Sequence, residues 1–368
     1  MLVFYLPYKI NSNKHSTPNI RPIKLGNAFE KSDEETVLIF GSLMFRISKT
    51  LQLLTQTNKK NISLYVESGS VPIAFTNFKK NLGFSFVDYL LIYLLTIKSK
   101  KSGIFIRDIH YLFRDIHEYR SQINKFIYRR VGRIELFFFS KTFDVFFLPT
   151  LKMRNYLPLI FNEKEVYEAP PGLLANIIPY KTKEIERINI LYVGGISEIY
   201  NFNPLLEMAF HNKNIYLTIN VEKNVYLKFE SLFKNVLSDR IKITHKFGDG
   251  LTPLYKEADI CSLYFEPHEY HKFMSPYKLY EYISYGKPII ASQNSAFGEY
   301  VSKHDLGWVL PTNRQKAINI LMTITQQEIR VKANNVLKIQ KNLSWSNRAF
   351  HILSKLKNQI EYFPADHK

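Results

Sequence analysis

The sequence predicts an α/β protein made of two doubly wound, parallel-sheet domains, and three observations lead there. Short apolar runs of strand character alternate with helical stretches, the order that a parallel sheet covered by helices requires. A length of 368 residues exceeds one ordinary core and suits two. The stretch from Ser275 to Ser292 reads as helix, tight turn and buried strand in immediate succession.

Composition narrows the class. A hydrophobic content of 46% with 22% charged residues is that of a globular chain. The lone cysteine, Cys261, rules out an internal disulfide framework and lies in an apolar run, so it reads as a buried thiol in a reducing cytoplasm. Met1–Pro7 reads as a first strand, without the basic region and cleavage site of a signal peptide. The run from Phe84 to Ile97 comes nearest to a membrane span but is too short and is interrupted by Asp88. The net charge of +18 leans toward the first half. Nucleic acid, an anionic membrane surface and plain composition bias compete to explain it. No helix-turn-helix, zinc-finger or RNP-type signature accompanies the charge, so no nucleic-acid partner is expected. A basic first domain suits acidic phospholipid.

Residues 2–8 form the expected first strand, followed by a polar loop from Lys9 to Asn19. Loops at the carboxyl end of a first strand are where open α/β sheets bind ligands, and Arg21, at the start of the next helix, is placed to reach an anion. Gly26-Asn27-Ala28-Phe29 is not a Gly-x-Gly-x-x-Gly fingerprint, so a nicotinamide cofactor has no support. A strand at 36–40, a helix at 43–54 and a strand at 62–66 continue the alternation. The helix at 84–97 is apolar almost all round. It is either fully buried or an interfacial helix fringed by Lys98, Lys100 and Lys101. The strand beginning at Gly103 ends in Arg107, Asp108 and His110, which puts titratable groups at a ligand-binding edge. Asp108 can hold a hydroxyl or act as a base, and His110 can donate or accept near neutral pH. The structural alternative is a strand-end salt bridge between Arg107 and Asp108. The basic helix around Arg129, Arg130 and Arg133 faces solvent or headgroups, and residues 137–148 read as strand-rich.

The prolines of Glu168-Ala169-Pro170-Pro171-Gly172 end regular structure, and a linker follows. The second domain opens with a strand from Ile188 into Gly194-Gly195, where the backbone can come close to a phosphate. Strand–helix units follow, with a strand at 258–263. Ser275 then reads as an N-cap with Pro276 at the first helical position, and Gly286 ends that helix before the buried strand Ile289-Ile290-Ala291. An open helix N-terminus favours an anion, most often phosphate. Lys278 in the first turn and Glu281 three residues on share a face, which suits a nucleoside diphosphate. The bland alternative is an amphipathic helix with two solvated charges. A strand at 306–310 follows, and residues 313–363 read as helical throughout.

The segment from Ser275 to Ser292 resembles the donor-binding segment of the GT-B glycosyltransferases, above all the large retaining family that builds bacterial surface polysaccharides. There a pattern close to S-P-x-K-x-x-E-Y-x-x-x-G-x-P-I-I-A-S holds the nucleotide. Thinner likenesses run along the chain. His15 to Pro22 is similar to a His-x-x-Pro-Asn-x-Arg-Pro variant that lines the interdomain cleft. Arg107-Asp108 resembles a motif near the transferred sugar, Tyr255 to Ile260 matches a Tyr-x-x-Ala-Asp-Ile phrase, and Trp345 with Arg348 resembles the terminal crossover.

This resemblance implies the GT-B fold: two Rossmann-like domains facing across a cleft, with a C-terminal helix crossing back. The expected boundaries are 1–172 for the acceptor domain, 173–186 for the linker, 187–342 for the nucleotide-sugar domain and 343–368 for the crossover. It implies transfer of a sugar from a nucleotide-diphosphate donor to a lipid-linked saccharide in capsule, O-antigen or exopolysaccharide biosynthesis. The transfer would be retaining, with neither cofactor nor metal, in the cytoplasm and peripheral on the anionic inner face of the plasma membrane. Gly194, Gly195, Ser275 and Lys278 would meet the diphosphate and Glu281 the ribose. Asp108 and His110 would be catalytic, and His15, Asn19, Arg21 and Arg107 would line the acceptor side. Two departures stand out. Ile196-Ser197 replaces the usual cation after the diglycine, and Phe273 stands where the family's commoner pattern has its first glutamate. Some relatives with this form invert, in which case Asp108 is the first candidate base. A nucleotide-sugar epimerase and an inactive binding protein of the same fold are the alternatives.

Overall fold

The computed structural model describes residues 1–10, 17–56, 62–76, 86–113, 122–173, 187–233 and 236–358. The chain divides into two compact units, Met1–Gly172 with the segment from Trp345, and Leu173–Ser344.

The first unit alternates strand and helix in sequence order. Its elements are β1 (Leu2–Tyr5), α1 (Thr17–Glu30), β2 (Thr36–Ile39), α2 (Leu43–Gln56), β3 (Ser63–Glu67), α3 (Phe86–Lys98), β4 (Lys101–Phe105), α4 (Gln122–Thr142), β5 (Val145–Leu148) and β6 (Glu165–Glu168). The strands form one parallel sheet in the order β2-β1-β3-β4-β5-β6. Phe4 lies opposite Leu38 on one side and Tyr65 on the other. The chain thus winds from β1 to β2, reverses, and lays β3 against the other edge of β1. Phe4, Phe29, Tyr65 and Phe147 fill the core with tilted and edge-on ring contacts 5.3 to 5.8 Å apart.

Two buried polar networks fix the helices of this unit. Arg46 in α2 donates through Nε and Nη2 to both oxygens of Asp88 in α3, each at 2.8 Å, and Tyr5 donates its hydroxyl to Asp88 at 2.5 Å. The Asp88 that interrupts the apolar run is therefore a buried anchor. Glu135 in α4 is the second, accepting from the Ile73 amide at 2.6 Å and the Tyr89 hydroxyl at 2.5 Å. Gly132 lets α4 lie directly on Tyr111, whose ring a Cβ there would meet at 2.2 Å.

The second unit contains β7 (Ile188–Val193), α5 (Asn203–His211), β8 (Ile215–Asn220), α6 (Lys223–Lys228), β9 (Ile241–Thr244), α7 (Leu251–Glu257), β10 (Ile260–Leu263), α8 (Tyr277–Ser284), β11 (Ile289–Ser292), α9 (Ala296–Lys303), β12 (Gly307–Leu310), α10 (Arg314–Thr323) and α11 (Gln326–Gln340). Its sheet is also parallel, in the order β12-β11-β10-β7-β8-β9. The last helix, α12 (Trp345–Lys357), belongs to the first unit, where it packs on α1, β3 and β4. Arg348 donates to the carbonyl of Pro171, joining the start of α12 to the Pro-Pro-Gly turn. Each unit is a doubly wound, Rossmann-like sheet, as the alternation predicts.

Four local expectations are corrected. The first strand ends at Tyr5, short of residue 8. Phe137–Phe139 is not strand but the last turns of α4, because Leu136, Phe139 and Phe143 recur on the buried face while Ile134 and Phe137 remain exposed. Packing has overridden aromatic strand propensity there. The helix at 84–97 is not buried all round: Asp88, Leu91, Ile92 and Leu95 face inward, and Phe86, Leu90, Tyr93 and Ile97 face outward. The region from 313 is three helices, with α11 started by a capping box between Thr325 and Glu328. Among the described residues no helix is long and apolar enough to cross a membrane.

Burial pushes the Glu135 carboxyl up to about 7, against the opposing pull of its bonds from Tyr89 and the Ile73 amide. The unfolded chain, with an ordinary carboxyl, releases that proton at lower pH. Stability from this group is therefore present below pH about 4.5 and lost as pH rises through about 7, with a slope of at most about 1.4 kcal/mol per pH unit. Urea unfolding of Glu135→Gln is expected to show a flatter stability profile between pH 5 and 8 than the wild type. An unchanged profile would sink this assignment.

Candidate functional site

In the second sheet the chain winds from β7 to β8 and β9, then reverses to β10, β11 and β12. The carboxyl ends of β7 and β10 part at that reversal, the place where open α/β sheets bind ligands. Gly194 and Gly195 follow β7 directly. A Cβ at Gly194 would lie 2.7 Å from the Tyr192 hydroxyl, which itself donates to the Gly195 carbonyl at 2.5 Å. A Cβ at Gly195 would meet nothing within 4 Å, so the backbone is open on that side.

Helix α8 is pinned beside this reversal by Tyr282. The Tyr282 hydroxyl accepts from the Val193 amide at 3.0 Å and donates to the Ser262 carbonyl at 3.3 Å. The helix ends as expected: Gly286 takes φ +68°, and the amides of Gly286 and Lys287 bond back to Ile283 and Tyr282. Its start differs from expectation by one residue. Pro276 is the N-cap, with φ −68° and ψ 133°, and no side chain caps the first turn. Ser275 thereby falls one position too early to cap, and its Oγ sits 3.2 Å from the Tyr280 hydroxyl.

Lys278 and Glu281 do come together. Lys278 Nζ lies 2.7 Å from Glu281 Oε2, and the Tyr255 hydroxyl donates to Oε1 at 2.8 Å. Glu281 is 8% exposed, so its carboxylate is a nearly buried acceptor with a partner on each oxygen. Tyr255 stacks on Tyr285 at 3.8 Å. Burial, reinforced by Glu281, pushes the Tyr255 hydroxyl well up, so it remains a donor at neutral pH. Cys261 is buried in β10, and burial likewise pushes its thiol up, the opposite of a nucleophile's need. His271 is buried too. Its Nε2 lies 2.7 Å from the Ile199 carbonyl, and burial pushes its pKa down to about 4, so the ring is neutral and Nε2 is the donor.

The first-unit candidates form two groups at the carboxyl edge of the first sheet. Arg21 Nε donates to Glu67 Oε1 at 2.7 Å, and Arg107 Nη2 donates to Glu67 Oε2 at 3.0 Å and to the Tyr8 hydroxyl at 2.9 Å. The strand-end salt bridge between Arg107 and Asp108 is not what forms, because Glu67 at the end of β3 takes the guanidinium. Asp108 instead serves His110: Oδ1 accepts the His110 amide at 2.9 Å, and Oδ2 lies 3.3 Å from Nδ1. The carboxylate holds the imidazole from both backbone and ring. Asn19 lies half-buried in the first turn of α1, and His15 falls outside the described residues. Among the described residues no group of three or more His, Cys, Asp or Glu side chains is placed to hold a metal ion.

Sequence reasoning missed Glu67, Tyr255, Tyr282 and His271. Glu67 carried the signal used for Asp108, an acid at the carboxyl end of a strand. Tyr255 opens the Tyr-x-x-Ala-Asp-Ile phrase. Nothing in the sequence marks His271.

Residues 224–351 match a family model described as the C-terminal domain of the glucosyltransferase 3-like proteins. No curated protein sequence matches the chain significantly. Among solved structures, the chain is similar to HepE of Anabaena in complex with UDP and glucose, at 12% identity and a TM-score of 0.63, covering 97% of this chain and 100% of that one. It is similar to sucrose-phosphate synthase of Thermosynechococcus elongatus at 11% identity and a TM-score of 0.64, over 97% and 98% of the two chains. A third similar structure is WaaG, a glycosyltransferase involved in lipopolysaccharide biosynthesis, at 12% identity and a TM-score of 0.60, over 97% and 99%. The chain therefore has the GT-B fold.

Tyr255→Phe removes the bond to Glu281 while keeping the ring that stacks on Tyr285. A hydrogen bond to a charged group contributes about 1.5–3 kcal/mol, and a loss in that range is expected in urea unfolding. A loss below about 0.5 kcal/mol would show that the bond does not hold Glu281 in solution.

Proposed function

We propose that the chain is a glycosyltransferase that takes a sugar from a nucleotide diphosphate, UDP in the first instance, and delivers it to a saccharide hydroxyl. The observation that carries this reading is the Lys278–Glu281–Tyr255 group. It joins a cation in the first turn of an uncapped helix to a nearly buried carboxylate, on a helix that Tyr282 ties to Val193 at the end of the strand leading into Gly194-Gly195. The likeness of residues 224–351 to a glucosyltransferase domain, and the UDP and UDP-glucose complexes of HepE, support it.

In this reading Lys278 and the first-turn amides of α8 meet the diphosphate, and Glu281 accepts from the ribose hydroxyls. The acceptor oxygen attacks the anomeric carbon, the bond from that carbon to the diphosphate oxygen breaks, and the leaving diphosphate gathers negative charge. Lys278 and the helix end stabilise that charge without a metal ion. With retention, the departing phosphate takes the acceptor's proton and no protein base is needed. On the first unit, Asp108 and His110 are assigned to the acceptor hydroxyl. Asp108 fixes the ring, and in an inverting reaction it is the base.

We assign the acceptor to a lipid-linked saccharide of a bacterial surface polysaccharide, met at the cytoplasmic, anionic face of the plasma membrane. Two exposed apolar helix faces support this. Leu90 on α3 is 56% exposed and Phe126 on α4 59%, and Arg130 and Arg133 flank the latter. The two helices are neighbours through Tyr89 and Phe138, whose rings meet at 5.3 Å. Apolar residues beside exposed arginines fit an anionic lipid interface.

Two measurements test these assignments. A thermal-shift panel of UDP-, GDP- and dTDP-sugars is expected to raise the midpoint for UDP-sugars, since a ligand at a hundred times its dissociation constant adds about 2.7 kcal/mol. The rise should vanish in Glu281→Ala. No response to any donor would overturn the transferase reading in favour of an inactive protein of this fold. Co-sedimentation with phosphatidylglycerol vesicles, but not with phosphatidylcholine vesicles, is expected to fall with salt and to be lost in Leu90→Glu/Phe126→Glu. Equal binding to both vesicle types would remove the basic face from the account.

A further inference from the structure

The Arg21–Glu67–Arg107 cluster lies where the first sheet reverses, since the chain leaves β1 toward β2 on one side and leaves β3 toward β4 on the other. Glu67 is fully buried, Arg21 is 2% exposed, and the Arg107 side chain is 10% exposed and stands nearest the surface. Two guanidinium groups share this one carboxylate, and among the described residues neither has a second one. Arg21 stacks on the Phe105 ring at 3.8 Å, and its Nη2 reaches the Tyr65 hydroxyl at 3.5 Å. Among the described residues, three of the nitrogens are buried without a hydrogen-bond partner: Arg21 Nη1, Arg107 Nε and Arg107 Nη1.

Buried donors are ordinarily satisfied, and a buried charge is ordinarily balanced. This cluster is neither, and it sits at the edge where such sheets bind ligands. A guanidinium has donors only, so its further partner is an acceptor, and the excess positive charge favours an anion over water. Donors on two separate guanidinium planes suit the tetrahedrally arranged oxygens of a phosphoryl group, which point in different directions, better than the coplanar pair of a carboxylate.

We infer that the first unit binds a phosphoryl group of the acceptor through Arg21 and Arg107, with Glu67 holding both guanidinium groups in place. That the phosphoryl group belongs to the acceptor rests on the transferase reading; the anion site does not. The group can come from a sugar phosphate or from the phosphate joining a saccharide to a lipid.

The test is calorimetric titration of inorganic phosphate into the full chain, with UDP present to fill the nucleotide site and sodium chloride matching the ionic strength. Saturable binding is expected in the wild type, weakened at least tenfold in Arg107→Gln and partly restored in Arg107→Lys. The UDP-induced thermal shift should be unchanged in both variants, which also shows that they fold. No phosphate binding, or equal binding in wild type and Arg107→Gln, overturns the site. Phosphate binding that persists where no nucleotide binds leaves the site standing and overturns only the transferase reading. Glucose 6-phosphate and farnesyl phosphate then separate the sources. Tighter binding of one than of inorganic phosphate assigns the acceptor class, and tighter binding of neither overturns the link to an acceptor.

Discussion

Both sheets are wholly parallel, and both reverse their winding beside the first strand laid down. That constraint places every candidate group. All carboxyl ends lie on one edge, so the residues that follow the strands collect there, and the reversal parts two neighbouring ends to leave room for a ligand. In the second unit the parting falls between Val193 and Leu263. The Tyr282 hydroxyl, bonded to both Val193 and Ser262, seats α8 against it. In the first unit the reversal beside β1 brings Arg21 from the helix after β1 onto Glu67 at the end of β3. Shift α8 or α1 along its strand by a turn, and the group to which that helix contributes does not assemble.

Buried ionisable groups in this chain fall into three states, and the contrast separates scaffold from site. Arg46 and Asp88 are closed on each other in a bidentate pair with Tyr5 as a further donor, and breaking such a pair by removing one partner costs about 3–5 kcal/mol. Glu135 escapes the cost of buried charge by holding its proton until near neutrality. Arg21 and Arg107 do neither: guanidinium stays charged at any accessible pH, and one carboxylate serves two of them. A scaffold can be built from the first two states alone. The third makes sense as a place left for another molecule.

Much of the fold was legible because strand and helix have different periods and this chain alternates them cleanly. The failures came where local preference and packing disagree. Three consecutive phenylalanines at 137–139 have strand propensity, yet the burial period through Leu136, Phe139 and Phe143 is helical. Thr325 and Glu328 carried a capping signal inside a stretch whose helical pattern hid the break. At the site, Lys278 and Glu281 were legible because a three-residue spacing on a helix guarantees proximity. Tyr255 lies 26 residues from Glu281, and Glu67 lies 46 from Arg21, so no local rule pairs them. Only the sheet's connectivity does.

Tyr255 also bears on how the donor site can work. In the chain without nucleotide, Lys278 is paired with Glu281, and with 30% of its side chain exposed the ammonium is partly screened by solvent. A diphosphate at the end of α8 offers Lys278 more negative charge, and the helix dipole adds to the attraction. Transfer of the lysine would ordinarily strand a nearly buried carboxylate. In the proposed reading the carboxylate would keep its bond from the Tyr255 hydroxyl, and the ribose hydroxyls would replace the donors that the ammonium withdraws. The ion pair would then be a resting arrangement that a nucleotide exchanges rather than breaks, with Tyr255 the residue that makes the exchange cheap.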